Sequence, residues 1–193
     1  MFDFLKEAIQ SPKTIGAIAP SSPRLANMMA QRAVADRPAV IVEVGAGDGA
    51  ITQALLRTRH PETTVLICEQ NPVFRDTLTD LLKEEPNVEL FIGDIQDCPK
   101  AWHGQAGVLV SGLPFASFPL PLRHELLTTF QTLLQPGGHF IAFQYTKLHF
   151  KTFRRYFLEH SYSYTLQNLP PAYVFEGVQK EDFFRAHDSN RRR

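Results

Sequence analysis

VIVEVGAGDG occupies residues 40–49 and decides the fold of this 193-residue chain. Its first half is an apolar run interrupted only by Glu43, which is typical of a buried strand in a parallel sheet. Its second half carries Gly45, Gly47 and Gly49, which let the backbone turn sharply and let a ligand approach closely. The residues that follow have the apolar spacing of a helix. We therefore predict a strand–loop–helix unit, the place where open α/β sheets bind ligands.

The rest of the chain alternates the same two patterns. Apolar strand patterns are found at residues 40–44, 65–68, 88–92, 108–110 and 139–145. Helical patterns follow the glycine loop, begin at Asn71-Pro72, and occupy residues 122–134 and 151–160. Such alternation predicts βαβ units and a mainly parallel sheet.

The alternation of strand and helix patterns ends in the C-terminal part of the chain. Two strand patterns, residues 162–166 and 173–178, are separated by a short link that suits an antiparallel hairpin and not a crossover. The predicted fold is therefore α/β and Rossmann-like, with a seven-stranded mainly parallel sheet and a C-terminal antiparallel hairpin. This is the architecture of class I methyltransferases.

Composition limits the functional classes. The 20 basic and 20 acidic residues cancel, so the chain lacks the basic excess of most nucleic-acid-binding proteins. Two cysteines indicate neither a disulfide scaffold nor a metal site. We see no signal peptide and no apolar run of about 18 residues, so we expect a cytoplasmic protein without a membrane span.

The acidic residue ahead of the glycines indicates the ligand. The loop has G-x-G-x-G spacing and not the G-x-G-x-x-G of dinucleotide-binding folds. A carboxylate at Glu43 would repel a pyrophosphate but suits a cation. S-adenosylmethionine carries an ammonium and a sulfonium and has no phosphate, so we predict it as the cofactor.

Two more acidic residues follow strands in the order this cofactor requires. Glu69 ends the second strand, where a carboxylate can accept hydrogen bonds from both ribose hydroxyls. Asp94 follows the third strand, where its carboxylate can accept from the adenine amino group while the Ile95 N–H meets a ring nitrogen. The cofactor residues predicted in this part of the chain are Glu43, Gly45, Ala46, Gly47, Gly49, Glu69, Gln70, Asp94, Ile95 and Ser111.

The segment after the fourth strand, residues 110–119, is expected beside the methyl donor. It is similar to the Asn-Leu-Pro-Tyr of ribosomal RNA adenine dimethylases, with Gly112 at the Asn position and Phe115 at the Tyr position. Glycine has no amide with which to bind a target amino group, which argues against a base as acceptor. We predict Gly112, Leu113, Pro114 and Phe115 as substrate-binding residues.

The N-terminus has an amphipathic pattern, with Phe2, Leu5 and Ile9 on one helical face. Such a helix can lie on a membrane interface, or it can pack on the catalytic domain as a lid. Ser22 followed by Pro23 predicts the start of a further helix.

Taken together, these segments identify a family. The chain resembles bacterial phospholipid N-methyltransferases, which methylate phosphatidylethanolamine, and their ornithine-lipid relatives. The resemblance rests on Phe4-Leu5, residues 14–22, residues 43–49, Ser111-Gly112-Leu113-Pro114 and Asn168-Leu169-Pro170-Pro171-Ala172. It implies an N-terminal helix that binds anionic membrane and covers the cofactor, with Ile18, Pro20 and Ser21 at the methionine end.

The resulting domain assignment has three parts. Residues 1–36 form the N-terminal helix and cofactor-covering segment, residues 37–185 the methyltransferase domain and residues 186–193 a basic tail. We expect a monomer, peripheral on the inner face of the cytoplasmic membrane, with a phospholipid substrate and no nucleic-acid partner.

The expected chemistry is in-line attack of a lipid amine on the sulfonium methyl, for which positioning supplies most of the catalysis. Ser111 and Tyr145 are the predicted catalytic residues, with Ser117 as a further candidate for orienting the amine. The basic group at residues 147–155 suits a lipid phosphate or is a solvated helix face. Two other functions stay open: an RNA adenine N6-methyltransferase, and a cofactor-binding module without catalysis.

Overall fold

A computed structural model describes residues 22–147, 150–166 and 170–180. The strands are β1 (Val40–Val44), β2 (Thr64–Glu69), β3 (Val88–Ile92), β4 (Ala106–Ser111), β5 (Leu134–Gln144), β6 (Phe157–Thr165) and β7 (Ala172–Gln179). The helices are α1 (Pro23–Ala33), α2 (Ala50–Thr58), α3 (Arg75–Leu82), α4 (Leu120–Leu133) and α5 (Phe150–Tyr156). Short 3₁₀ turns at Pro72–Phe74, Ile95–Asp97, Lys100–Trp102 and Phe115–Ser117 complete the regular structure of these ranges.

The strands of the described ranges form one seven-stranded sheet in the order β3-β2-β1-β4-β5-β7-β6. Neighbours from β3 to β5 are parallel, whereas β7 is antiparallel to both β5 and β6. The predicted fold class is therefore confirmed. The chain reverses its direction of winding between β1 and β4, so the loops after these two strands open a crevice at the carboxyl edge of the sheet.

Two boundaries differ from the sequence prediction. The helix predicted over residues 151–160 ends at Tyr156, because Phe157 is fully buried and its ring stacks on Phe140 at a centroid distance of 4.6 Å. The helix predicted to Leu134 ends at Leu133, and β5 begins at once, so the strand predicted from residue 139 starts five residues earlier. The register shifts where β5 pairs with Ala106, which accommodates Pro136.

Each face of the sheet carries its own apolar layer. One layer packs α1, α2 and α3 against the sheet, and the other packs α4 and α5. The second layer is rich in phenylalanine, with fully or almost fully buried rings at residues 115, 118, 130, 140, 150, 153, 157 and 175. Several of these rings meet edge to face, and their contacts pack the C-terminal hairpin against the parallel part of the sheet.

Helix α1 begins as predicted, with the Ser22 side chain accepting a hydrogen bond from Leu25 N and with Pro23 in its first turn. Its buried face packs on α2 and on the sheet, and Arg32 forms a salt bridge of 3.1 Å to Glu176 on β7. Burial alone would raise the pKa of Glu176, but hydrogen bonds from His139 and Ser161 and the Arg32 charge hold it below its usual range. The amphipathic helix predicted at residues 1–10 lies outside the described residues. No helix in the described ranges is long and apolar enough to cross a membrane.

Candidate functional site

The glycine loop closes over the end of β1 in a conformation that requires its glycines. Gly45, Gly47 and Gly49 all have positive φ, between 56° and 86°. Gly45 N donates to Cys68 O at 2.9 Å, which holds the loop against the end of β2. Asp48 is exposed and its carboxylate accepts from Ala50 N, so it caps the start of α2 and is not turned inward. The loop therefore presents backbone to the crevice.

Glu69 is held rigidly where β2 ends. Its side chain is only 4% exposed, and each carboxylate oxygen accepts one backbone N–H at 2.7 Å, Oε2 from Gly47 and Oε1 from Asn71. A carboxylate offers about four lone-pair positions, so capacity remains for two further donors. The geometry is that of a preorganised acceptor for a pair of hydroxyls.

Asp94 and Gln70 form the next part of the site. Asp94 Oδ1 accepts from Gln96 N at 3.0 Å, which caps the 3₁₀ turn after β3. Gln70 Nε2 donates to Asp94 Oδ2 at 3.4 Å and ties the ends of β2 and β3 together. Ile95 is 5% exposed and gives this region an apolar wall.

These elements line an open cleft. Its volume is about 320 Å³, including the space at its opening. Six of its lining residues were predicted: Gly45, Glu69, Gln70, Asp94, Ile95 and Leu113. Four were missed: Val44, Cys68, Gly93 and Leu126. Cys68 is buried, and its hydrogen bond with Cys98 together with burial raises the pKa of its thiol. The missed residues are small or apolar, so only the sheet topology indicates that they line the cleft.

Glu43 lies fully buried in β1, directly below the glycine loop. Its Oε2 accepts from Thr52 Oγ1 at 2.8 Å, whereas Oε1 has no hydrogen-bond partner among the described residues. Burial, with a smaller contribution from the nearby charge of Glu69, raises the pKa of Glu43 to about 8 although the Thr52 hydrogen bond opposes the shift. An unpaired buried carboxyl of this kind is stabilised in its charged form by a cation.

The segment after β4 runs against the glycine loop. Gly112 N donates to Val44 O at 2.9 Å, and a Cβ at Gly112 would lie 2.5 Å from the Gly45 carbonyl oxygen. No side chain fits there without moving the loop backbone. Ser111 is fully buried, and its hydroxyl accepts from Leu113 N at 3.3 Å.

Gln144, which was not among the predicted site residues, joins this segment to β5. It is the last residue of the strand and is 3% exposed, and its Nε2 donates to Leu113 O at 3.5 Å. The signal was present, because a polar residue at the carboxyl end of a buried strand points to the ligand edge of the sheet.

Phe115, which was predicted to contact the substrate, lies in the phenylalanine-rich apolar layer. Its ring is fully buried and packs edge to face on Phe118, Phe130 and Phe153, with centroids 5.1–6.1 Å apart. The 3₁₀ turn that follows Pro114 carries the ring into the apolar layer, where its large surface is removed from water. Leu113 and Pro114 are half-buried at the start of the same turn.

The two predicted catalytic residues are not brought together. Strand alternation directs Ser111 to the face covered by α4 and α5, whereas Tyr145 packs in the layer of α1 and α2, 5.6 Å from Phe143 between ring centroids. Ala46 is 6% exposed in that same layer. The predicted contacts of Ile18, Pro20 and Ser21 lie outside the described residues.

Comparisons with known proteins agree with this geometry. The methyltransferase domain family matches residues 41–138, a range that runs from β1 through β4 and into β5. The chain is 33% identical over 191 residues to the ornithine lipid N-methyltransferase of Singulisphaera acidiphila, covering 94% of this chain and 98% of that protein.

Solved structures support the same fold. The chain is similar to the N-methyltransferase NodS from Bradyrhizobium japonicum WM9 in complex with S-adenosylhomocysteine, with a TM-score of 0.72, 12% identity and coverage of 93% and 98% of the two chains. It is also similar to the Burkholderia thailandensis 1,6-didemethyltoxoflavin-N1-methyltransferase with bound S-adenosylhomocysteine, with a TM-score of 0.69, 14% identity and coverage of 93% and 87%. The predicted cofactor is thereby confirmed. The chain belongs to the bacterial lipid N-methyltransferases of the class I superfamily and is an S-adenosylmethionine-dependent N-methyltransferase.

Proposed function

We propose that this enzyme methylates the head-group amine of a membrane lipid, phosphatidylethanolamine in the first place, at the inner face of the cytoplasmic membrane. The observation that carries the proposal is similarity along nearly the whole chain to a protein named for its action on ornithine lipid. Both lipids offer a primary amine close to an acidic group. The acceptor is therefore a zwitterionic head group.

The residues around the cleft fit S-adenosylmethionine. We assign Glu69 to the ribose hydroxyls, Asp94 with Gln70 to the adenine end, and the loop from Gly45 to Gly49 to the methionine end. Glu43 supports this assignment, because a buried carboxyl with an unpartnered oxygen suits a cationic ligand. The cofactor supplies an activated methyl on a sulfonium, so the protein needs no nucleophile of its own.

The acceptor amine is assigned to the segment after β4. The backbone from Ser111 to Leu113 is held by Gly112 N on Val44 O and by Gln144 on the Leu113 carbonyl. Carbonyl oxygens held in this way can accept from the amine and direct its lone pair toward the methyl. The amine attacks in its neutral form, and its proton leaves to solvent. Ser111 is the closer candidate for orienting the amine, and Tyr145 keeps no assigned part in this step.

Adenine in RNA is the less suitable acceptor. A base-methylating site needs an amide at residue 112 to bind the amino group, and the Gly45 carbonyl oxygen occupies that space. It also needs an exposed aromatic ring at residue 115, where Phe115 is buried. Both features that would recognise a base are therefore missing from this segment.

The contact between Gly112 and the loop gives a direct prediction. Gly112→Ala places a methyl group 2.5 Å from Gly45 O, so the glycine loop must shift. We expect the free energy of unfolding to fall by about 1–3 kcal/mol and cofactor affinity to fall by about tenfold or more. Chemical denaturation and calorimetric titration with S-adenosylhomocysteine measure the two effects.

Gly104→Ala is the matched control. Unlike Gly112, Gly104 has a positive φ, 72°, and a Cβ there meets nothing within 4 Å. We expect a loss of about 1 kcal/mol in stability from the strained backbone and unchanged cofactor affinity. If the Gly112→Ala variant binds S-adenosylhomocysteine as tightly as the unchanged protein does, the close contact between residue 112 and the Gly45 carbonyl does not control the cofactor site.

The proposed function is tested with methyl-labelled S-adenosylmethionine. Purified protein is incubated with vesicles that contain phosphatidylethanolamine, with vesicles that contain an ornithine lipid, and with total RNA. We expect label in a lipid phase and none in RNA. Label in RNA alone would overturn the proposal, and label in neither would leave the family assignment with a different amine as acceptor.

A further inference from the structure

The last strand of the sheet exposes an unusual set of side chains. Tyr162 and Tyr164 on β6 are 48% and 46% exposed, and Leu166, which follows the strand, is 73% exposed. Strand alternation places the two tyrosines on one face. Tyr173, opposite Tyr164 on β7, packs against it with ring centroids 4.5 Å apart and the ring planes tilted by 34°. Large apolar side chains on an edge strand are a liability unless they bind something.

The ammonium group of Lys147 lies over two of these tyrosine rings. Lys147 Nζ is 4.1 Å from the centroid of the Tyr162 ring and 5.0 Å from that of Tyr173. Lys151 on α5 is exposed and follows Phe150, whose ring centroid is 6.3 Å from that of Tyr162, while Arg154 forms a salt bridge with Glu159. We call Lys147, Tyr162, Tyr164, Leu166 and Tyr173 the tyrosine–lysine edge.

The tyrosine–lysine edge lies beside the acceptor side of the site. Tyr164 pairs with Tyr173, and Tyr173 pairs with Gln144, the residue that holds the Leu113 carbonyl. All of these residues are at the carboxyl edge of the sheet, where the cofactor cleft opens. A surface bound to the tyrosine–lysine edge would therefore lie next to the cofactor cleft.

We propose that the tyrosine–lysine edge docks on the interface of an anionic membrane and delivers lipid head groups to the cleft, an inference that rests on the proposed function. Tyrosine suits this role because its ring enters the apolar region while its hydroxyl stays in water. Lysine side chains near an anionic surface contribute about 1 kcal/mol each. The mixture of rings, one leucine and cations matches a lipid interface better than a purely apolar partner.

The test compares three forms of the full chain in sedimentation with vesicles of phosphatidylcholine, with and without phosphatidylglycerol. The first is the unchanged protein, and the second carries Tyr162→Ser, Tyr164→Ser and Leu166→Ser together. The third, Leu158→Ser, is the matched control, because Leu158 is 59% exposed on the same strand but lies near its opposite end. Leu158 and Tyr164 are six positions apart along β6, which corresponds to about 20 Å.

We expect the triple variant to bind anionic vesicles about tenfold more weakly, with unchanged S-adenosylhomocysteine affinity and unfolding temperature, and the Leu158→Ser control to bind normally. Lys147→Gln, a milder change, is expected to reduce only the preference for phosphatidylglycerol. Unchanged vesicle binding by the triple variant overturns the proposal. So does a change from dimer to monomer in sedimentation velocity without a loss of vesicle binding, which would make the edge a contact between copies.

Failure of this inference is distinguishable from failure of the proposed function. The second readout is methyl transfer to a short-chain phosphatidylethanolamine dispersed as monomers, which needs no membrane docking. We expect the triple variant to keep this activity within about twofold while losing activity on vesicles. If the unchanged protein methylates no lipid in either form, the proposed function fails whatever the vesicles show.

Discussion

Glu69→Ala is expected to weaken S-adenosylmethionine binding about hundredfold, which corresponds to about 2.7 kcal/mol. The carboxylate is buried, and backbone N–H groups of Gly47 and Asn71 fix both of its oxygens at 2.7 Å. Its remaining lone pairs are thus oriented before the ribose arrives, so little entropy is lost on binding. Removal of the side chain also leaves two backbone donors without their acceptor. Calorimetric titration with the cofactor and with S-adenosylhomocysteine measures the loss.

Glu89→Ala is the control for the Glu69 experiment. It removes the same charge from an exposed position on the neighbouring strand, opposite Leu66. We expect it to leave cofactor affinity unchanged, which separates a specific contact from a general electrostatic effect. If Glu69→Ala binds the cofactor as tightly as the unchanged protein, the ribose assignment is wrong.

Glu43 is expected to make the stability of the cofactor-free protein depend on pH. The pKa of this carboxyl is about 8 in the folded chain, against a usual value of 4.5, because burial disfavours its charge. Between pH 4.5 and about pH 8, Glu43 loses its proton in the unfolded chain but keeps it in the folded chain. The stabilising contribution is therefore complete below about pH 4.5 and is lost as pH rises toward 8.

Glu43→Gln is expected to remove this dependence of stability on pH. The free energy of unfolding of both proteins is measured by chemical denaturation at about pH 5 and about pH 9. We expect the unchanged protein to lose on the order of 3–5 kcal/mol more than the variant between the two conditions. Saturating S-adenosylmethionine should reduce the difference, because a nearby cation favours the charged carboxylate. The same pH slope in both proteins would show that Glu43 is ionised throughout.

The sequence predicted the parts of the molecule that local chemistry determines. The glycines of the loop are required by positive φ, and Glu69 and Asp94 stand where strands end. Because these features depend on backbone conformation and strand order, spacing along the chain was enough to find them. The antiparallel hairpin followed from a link too short for a crossover.

Two features that differ from the sequence prediction are determined by tertiary packing. Phe115 follows a segment typical of substrate loops, yet three neighbouring rings from other parts of the chain bury it. Likewise, the helical pattern runs past Tyr156, but the stack of Phe157 on Phe140 makes the next residues a strand. In both cases the burial of an aromatic ring outweighed the local pattern.

Gly112 takes part in a close approach of two backbone segments that no sequence pattern reveals. A Cβ at residue 112 would lie 2.5 Å from the Gly45 carbonyl oxygen, which explains why this residue is glycine. From the sequence alone, Gly112 was only a departure from the adenine-recognition pattern. In the structure it is the residue that lets the segment after β4 lie against the glycine loop.

The most direct test of lipid amine methylation is mass spectrometry of the product. Purified enzyme is incubated with methyl-deuterated S-adenosylmethionine and vesicles that contain phosphatidylethanolamine, and the extracted lipids are fragmented. We predict one or more deuterated methyl groups on the nitrogen of the head-group fragment and unlabelled acyl fragments, and no label when vesicles of phosphatidylcholine alone, whose nitrogen is already fully methylated, replace those with phosphatidylethanolamine. Label on the acyl fragments, or label in vesicles of phosphatidylcholine alone equal to that in vesicles with phosphatidylethanolamine, would contradict methyl transfer to a head-group amine.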